Sequence, residues 1–209
     1  KHQRAMGKFA TANRLTLTND NGDISEVEFS HALISVGTRP HRPHNVPFDR
    51  EHVFDSDEML ELGRLPRTLT VIGGGDIGVE YATIFSAPDV PGTLIEPRHT
   101  ILDFVDREIV DDFIHEMRDR GMQIRLGTSA KEIVVKGDSA EVTLSDGRLV
   151  RSEIVLYAAG RSGNVGTLGL EAIGIEVDSR GRIKADPATF QTTVPNIYAA
   201  GDVIGFPSL

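Results

Sequence analysis

Thr68 to Ile72 is a β-rich apolar run, and it stops at Gly73-Gly74-Gly75-Asp76-Ile77-Gly78. Gly73, Gly75 and Gly78 have the spacing G-x-G-x-x-G. That pattern says little by itself; its flanks constrain the fold far more. Behind it, Asp76 to Ser86 has helical periodicity, with Ile77, Tyr81, Ile84 and Phe85 read onto one face. Thr93-Leu94-Ile95 then forms a short second strand that ends at Glu96. A strand, a glycine turn, a helix and a strand within residues 66–96 make a βαβ unit. Such a unit commits the chain to a parallel sheet with a helix packed on it.

Each glycine in the turn has a physical reason. Gly73 permits the tight turn, Gly75 lets backbone approach a diphosphate, and Gly78 lets helix and strand pack closely. The first turn of the helix, at Asp76 and Ile77, offers free N–H groups and a partial positive charge to an anion. Glu96 lies 23 residues beyond Gly73. A carboxylate there accepts hydrogen bonds from adenosine ribose hydroxyls and repels a 2′-phosphate, which favours NAD(H) over NADP(H). Arg98, two residues further on, offers a guanidinium that suits a 2′-phosphate. Both dinucleotides therefore stay open.

The rest of the chain extends the same architecture. Asp106 to Arg120 is an amphipathic helix carrying Ile109, Val110, Phe113, Ile114 and Met117, and Gly121 ends it. Strands are expected at Ile124 to Leu126, Lys131 to Lys136, Ala140 to Leu144 and Arg148 to Tyr157, with a hairpin turn at Asp146-Gly147. Upstream, Phe9 to Thr18 and Val27 to Val36 read as strands around a turn at Asn19 to Asp23. Arg39 to Pro47 reads as a linker, and Ser56-Asp57-Glu58 as the cap of a short helix through Leu62. The expected fold is α/β: a Rossmann-like, three-layer nucleotide domain over residues 66–160, with a parallel sheet and an antiparallel meander. Residues 1–65 and 161–209 flank it.

Composition removes several functions. The net charge of −9 argues against a nucleic-acid surface. No apolar run reaches the ~18 residues that span a bilayer. With no cysteine among the 209 residues, disulfides, thiolate metal sites and a cysteine nucleophile are absent from this stretch. The seven histidines show no metal-ligand spacing; His41 and His44 lie in the proline-rich stretch, and His115 on the amphipathic helix. Asp103, Asp106, Glu108, Asp111 and Asp112 are read as charges placed favourably near a helix start. A cytoplasmic protein without metal is expected.

Three more glycines close apolar runs: Gly37 in Val36-Gly37-Thr38-Arg39, Gly160 in Ala159-Gly160-Arg161, and Gly201 before Asp202. Each can bring backbone beside a bound dinucleotide, and Asp202 can accept from a sugar hydroxyl. Together with Gly73 to Gly78 and Glu80, this ordered set resembles the pyridine nucleotide–disulfide oxidoreductases, the two-dinucleotide flavoproteins. The resemblance covers nearly the whole chain, including Gly78 to Phe85, Gly160 to Asn164, Asp178 to Gly181 and Gly201 to Leu209.

The resemblance implies roles. Gly73, Gly75, Gly78 and Glu96 would hold NAD(H), with Gly160 beside the nicotinamide half and Glu80 near the flavin–nicotinamide junction. Asp202 would bind the ribityl chain of FAD, and Gly37 and Thr38 would mark the return from the flavin domain. Asp76 stands where a disulfide-reducing relative carries a tyrosine over the flavin. Residues 1–65 and 161–209 would be incomplete pieces of an FAD-binding domain. The first glycine motif, any redox cysteine pair and a C-terminal dimerisation domain would lie outside these residues, and the full protein would be a homodimer. The implied activity is flavin-dependent hydride transfer between NADPH and NAD. An NAD-dependent disulfide reductase is the alternative within the family, and a non-catalytic nucleotide-binding module the alternative outside it.

Overall fold

The computed structural model describes residues 2–205; Phe206 to Leu209, which close the last segment of the resemblance, lie outside the described residues. The chain opens with strands β1 (Met6–Thr11), β2 (Arg14–Thr18), β3 (Ile24–Glu28), β4 (Ala32–Ile34) and β5 (Thr38–Pro40). Next come β6 (Val53–Phe54), β7 (Leu69–Ile72), helix α1 (Asp76–Ser86), β8 (Gly92–Glu96), helix α2 (Arg107–Asp119) and β9 (Gln123–Leu126). A meander of β10 (Ala130–Lys136), β11 (Ser139–Leu144) and β12 (Leu149–Ser152) follows, then β13 (Ile154–Tyr157), β14 (Arg161–Gly163) and β15 (Ile197–Ala199).

Two compact units result. One spans residues 40–160; the other combines the chain up to Arg39 with the chain from Arg161 on. The first is built on a five-stranded sheet of order β6-β13-β7-β8-β9, with every pairing parallel. Strands β7 and β8 are buried along their whole length, as strands covered on both faces must be. Alternation divides their side chains between two cores. Leu69, Val71, Leu94 and Leu156 pack beneath Val79, Phe85, Val110, Ile114 and Met117 of the two helices. Ile72, Ile95 and Val155 pack against Ile133, Ala140, Val142 and Leu144 of the meander. The three layers are therefore helices, parallel sheet and meander.

The second unit holds the antiparallel sheet β1-β2-β3 and a parallel pair of β4 with β15. Its core gathers Phe9, Ile34, Leu170, Ile175, Ile183, Ile197 and Val203, with Phe29 set edge-on to Phe9 at 6.0 Å.

Several expectations from sequence change in the structure. Residues 40–65, read with the first flanking segment, pack instead with the parallel sheet: β6 runs parallel to β13, pairing Val53 with Val155. The stretch from Arg39 to Pro47 is no free linker. Arg42 bonds Asp55 at 2.7 Å and Glu58 at 2.8 Å, and its guanidinium lies 4.2 Å over the Phe48 ring. The short helix is a 3-10 turn at Glu58–Glu61, held by Asp55, which accepts from the N–H groups of Asp57 and Glu58. Helix α1 buries Gly78, Val79, Ala82 and Phe85, while Ile84 is 54% exposed. On α2, Val110, Ile114 and Met117 are buried, but Ile109 is not.

Three expected strands are each two. Phe9 to Thr18 breaks at a hairpin that pairs Thr11 with Arg14. Val27 to Val36 divides into β3, which pairs with β2, and β4, which pairs with β15. Arg148 to Tyr157 divides at Glu153 into β12 of the meander and β13 of the parallel sheet. In the last two cases the chain changes sheets without a glycine or proline at the break, so composition carries no trace of the change.

Glu153 marks its crossing with a buried carboxylate. It accepts from the Arg64 guanidinium, from the Arg67 N–H at 2.6 Å and from Arg67 Nε at 3.3 Å. The Arg64 bond, followed by the Arg67 N–H, outweighs burial and pulls the Glu153 pKa from 4.5 to about 2. A carboxyl whose pKa falls on folding stabilises the fold fully above its unfolded pKa and loses that contribution as pH drops toward its folded one. Glu153→Gln is therefore expected to lower the urea midpoint near neutral pH and to flatten the acid limb between about pH 5 and pH 2. Parallel acid limbs in the two proteins would refute this role.

Candidate functional site

The parallel sheet runs β7-β8-β9 to one side and β13-β6 to the other, so its order reverses between β7 and β13. Crevices at the C-terminal ends of strands flanking such a reversal are where open α/β sheets bind ligands. Gly73 follows β7 at that edge, and Ala158 follows β13, its N–H donating to the Ile72 carbonyl at 2.8 Å. Gly160, two residues on, is exposed with φ +99°.

Adding a Cβ to each glycine in turn separates their roles. At Gly73, where φ is +113°, the added atom meets the Ala158 carbonyl oxygen at 2.5 Å. At Gly78 it meets the Gly73 oxygen at 2.0 Å, so α1 rests directly on the turn. At Gly74 it meets Ile101 Cγ2 at 2.8 Å. At Gly75 it meets nothing within 4 Å. Gly75 is the N-cap of α1, with φ −79° and ψ −175°, and no side chain caps the helix. The first-turn N–H groups at Asp76 and Ile77 thus carry no side-chain cap. Asp76 and Glu80 are exposed on the same helix, and Ile77 is half-buried.

Gly74, Ile101 and Leu102 were missed from sequence. The Gly74 N–H donates to Glu96 Oε2 at 2.6 Å, and its carbonyl accepts from the Leu102 N–H at 2.9 Å. Leu102 has φ +46°, a conformation that a leucine holds only when its surroundings enforce it. The three-glycine run was the available signal, because the middle glycine lies outside the G-x-G-x-x-G spacing.

Glu96 ends β8 and is 3% exposed. Burial works to raise its pKa, but hydrogen bonds from the Arg98 side chain and from the N–H groups of Arg98 and Gly74 outweigh it and hold the carboxyl below its usual range. Arg98, bonded to Glu96 and to Asp103, is shifted up in turn. The structure thus brings Gly73, Gly75, Gly78, Glu96, Arg98 and Gly160 to one edge of one sheet.

The remaining predicted residues meet in the second unit. Gly37 has φ +64° and Gly201 φ +75°. The Thr38 hydroxyl accepts from Arg161 Nε at 2.7 Å and donates to Asp202 Oδ2 at 3.5 Å. Asn164 N–H donates to the Gly37 carbonyl at 3.1 Å. Among the described residues no group of three or more His, Cys, Asp or Glu could hold a metal, and no helix is long and apolar enough to cross a membrane.

A glycine turn with an uncapped helix start, at the reversal of a parallel sheet, defines a dinucleotide-binding fold. The chain belongs to the pyridine nucleotide-disulphide oxidoreductase family, whose model matches residues 2–209. A soluble pyridine nucleotide transhydrogenase of Pseudomonas putida is 39% identical over 203 residues, covering 97% of this chain and 44% of that protein. One of Mycobacterium bovis is 44% identical over 179 residues, 86% of this chain and 38% of that protein. Among solved structures, LpdA of Mycobacterium tuberculosis superposes with a TM-score of 0.89 at 26% identity, covering 98% of this chain and 46% of that one. RclA, a HOCl-induced flavoprotein disulfide reductase of Escherichia coli, superposes with a TM-score of 0.83 at 29% identity, over 98% of this chain and 46% of that one. The chain thus spans less than half the length of the curated relatives it matches.

Proposed function

We propose that the full-length protein is a flavin-dependent oxidoreductase that passes a hydride from NADPH to NAD, and that residues 66–160 hold the nicotinamide dinucleotide. The observation that carries this reading is the open space above Gly75 beside an uncapped helix start. The Asp76 and Ile77 N–H groups and the helix dipole bind the diphosphate there. Gly73 and Gly78 hold turn and helix in contact, Glu96 receives the adenosine ribose, Arg98 borders it, and Gly160 lines the nicotinamide half. Glu80 takes its place near the flavin from the family resemblance alone. Gly37, Thr38, Gly201 and Asp202 contribute to the FAD site from residues 1–39 and 161–209, and Asp202 accepts from the ribityl chain. When bound, the nicotinamide and flavin supply the hydride chemistry; the protein supplies position and electrostatics. No side chain of this chain is required as an acid or base. The protein acts in the cytoplasm, as a homodimer.

The names of the curated relatives support transhydrogenation. Likeness to RclA favours a second reading, a disulfide reductase. That activity needs a cysteine pair, which would lie outside these residues. The purified full-length protein is expected to show flavin absorbance and to reduce thio-NAD with NADPH in the absence of any disulfide. NADPH oxidation that requires an added disulfide would transfer the case to the second reading. A colourless protein that binds dinucleotide would mark it as a non-catalytic module.

A further inference from the structure

The carboxylate of Glu96 is saturated within the chain itself. Oε1 accepts from the Arg98 N–H at 2.9 Å and from Arg98 Nε at 2.8 Å. Oε2 accepts from the Gly74 N–H at 2.6 Å and from Arg98 Nη2 at 3.3 Å. An ionised carboxylate has about four lone-pair sites, and all are taken. Arg98 fills three of them. The two partners differ in freedom: the Glu96 side chain is 4% exposed and the Arg98 side chain 43%. The Gly74 bond belongs to the backbone of the glycine turn, which Leu102 also fixes. The Arg98 fork is the movable part, and Asp103 Oδ1 already holds its Nη1 at 2.6 Å.

A ribose hydroxyl can therefore bond Glu96 only by displacing Arg98. We propose that Arg98 is a specificity-determining residue that acts by competition, occupying Glu96 until a ligand takes over either the carboxylate or the guanidinium. The proposal rests on the reading of Gly73 to Gly78 as a dinucleotide site. A ligand with a free 2′-hydroxyl gains its bonds to Glu96 against those Arg98 already makes. A ligand with a 2′-phosphate instead recruits the guanidinium, whose planar fork matches phosphate oxygens and whose positive charge offsets the repulsion from Glu96. Asp103 keeps the guanidinium beside the site after it leaves Glu96. The competition handicaps the unphosphorylated ligand and assists the phosphorylated one, so it brings their affinities together. Glu96 alone would drive them apart.

The test uses the adenosine halves alone, ADP-ribose and 2′-phospho-ADP-ribose, titrated calorimetrically into the full-length protein. Arg98→Ala is expected to bind ADP-ribose about tenfold more tightly than the wild type. It is expected to bind 2′-phospho-ADP-ribose about tenfold more weakly. Opposite signs set competition apart from a structural role, which would weaken both ligands together. An ADP-ribose affinity that is unchanged or lower overturns the proposal, as does a 2′-phospho-ADP-ribose affinity that is unchanged or higher. Arg98→Gln, which retains the stem and a neutral donor, must shift in the same directions and serves if the alanine variant fails to fold. Wild-type protein that binds neither compound overturns the dinucleotide reading itself. Binding of both, with a ratio unmoved by either substitution, overturns only the role of Arg98.

Discussion

Gly75→Val is expected to abolish NADH binding, lowering affinity on the order of 100-fold or more, while the protein keeps its fold. The prediction separates two reasons why a glycine can occupy a turn. Gly75 has φ −79° and ψ −175°, extended backbone that valine adopts without strain, and an added Cβ touches nothing within 4 Å. The unliganded fold thus makes almost no demand on this position. Valine is a poorer N-cap than glycine, which costs the helix less than about 1 kcal/mol. The space that its methyl groups fill is the space a diphosphate needs to reach the first-turn N–H groups. Calorimetric titration with NADH, alongside thermal melts, checks both halves. Unchanged NADH affinity in a folded variant would mean that the diphosphate does not pass Gly75.

Gly78→Ala, three residues on, is expected to do the reverse and destabilise the fold itself. The single added carbon would lie 2.0 Å from the Gly73 carbonyl oxygen, which is backbone and cannot rotate aside. Relief requires α1 to lift from the turn, and the helix buries Val79, Ala82 and Phe85 against the sheet. Overpacking of this kind costs typically 1–3 kcal/mol and more when backbone must move. About 3 kcal/mol corresponds to a loss of roughly 10 °C in Tm for a domain of this size. Differential scanning calorimetry gives the answer directly: a Tm within about 2 °C of the wild type would show that the contact relaxes freely. The two variants make a pair, one blocking ligand with the fold intact, the other undermining the fold.

The turn between β7 and α1 was legible in the sequence because each of its constraints is local. The glycine spacing, the apolar run before it and the helical periodicity behind it all lie within residues 68–86. The ends of α1 follow from the same local signals, and they fall where expected, at Asp76 and Ser86. The face that α1 buries did not follow. Of the expected face Phe85 is buried, but the close approach fixed by Gly78 turns Val79 and Ala82 inward with it and leaves Ile84 exposed.

Glu96 shows the same division within one residue. Its place at the end of a strand, 23 residues after Gly73, was readable as a candidate ribose ligand. Its occupation by Arg98 and by the Gly74 N–H was not, because the acceptor capacity of a carboxylate is spent in three dimensions. Gly74 was likewise passed over. The motif names the glycines on either side, while the demand on Gly74 comes from Ile101 and Glu96, more than twenty residues away.

The βαβ unit, its glycine turn, the acidic end of β8 and the α/β class are written locally, since each follows from spacing within a few turns of chain. Long-range packing sets where strands change sheets, at Phe29 to His31 and at Glu153, and brings residues 40–65 into the unit of the parallel sheet. It alone also decided which glycine is held by contact and which is left open. The reason is that pairing partners and close contacts belong to segments distant in sequence, and no local pattern of side chains encodes a neighbour that arrives from elsewhere in the chain.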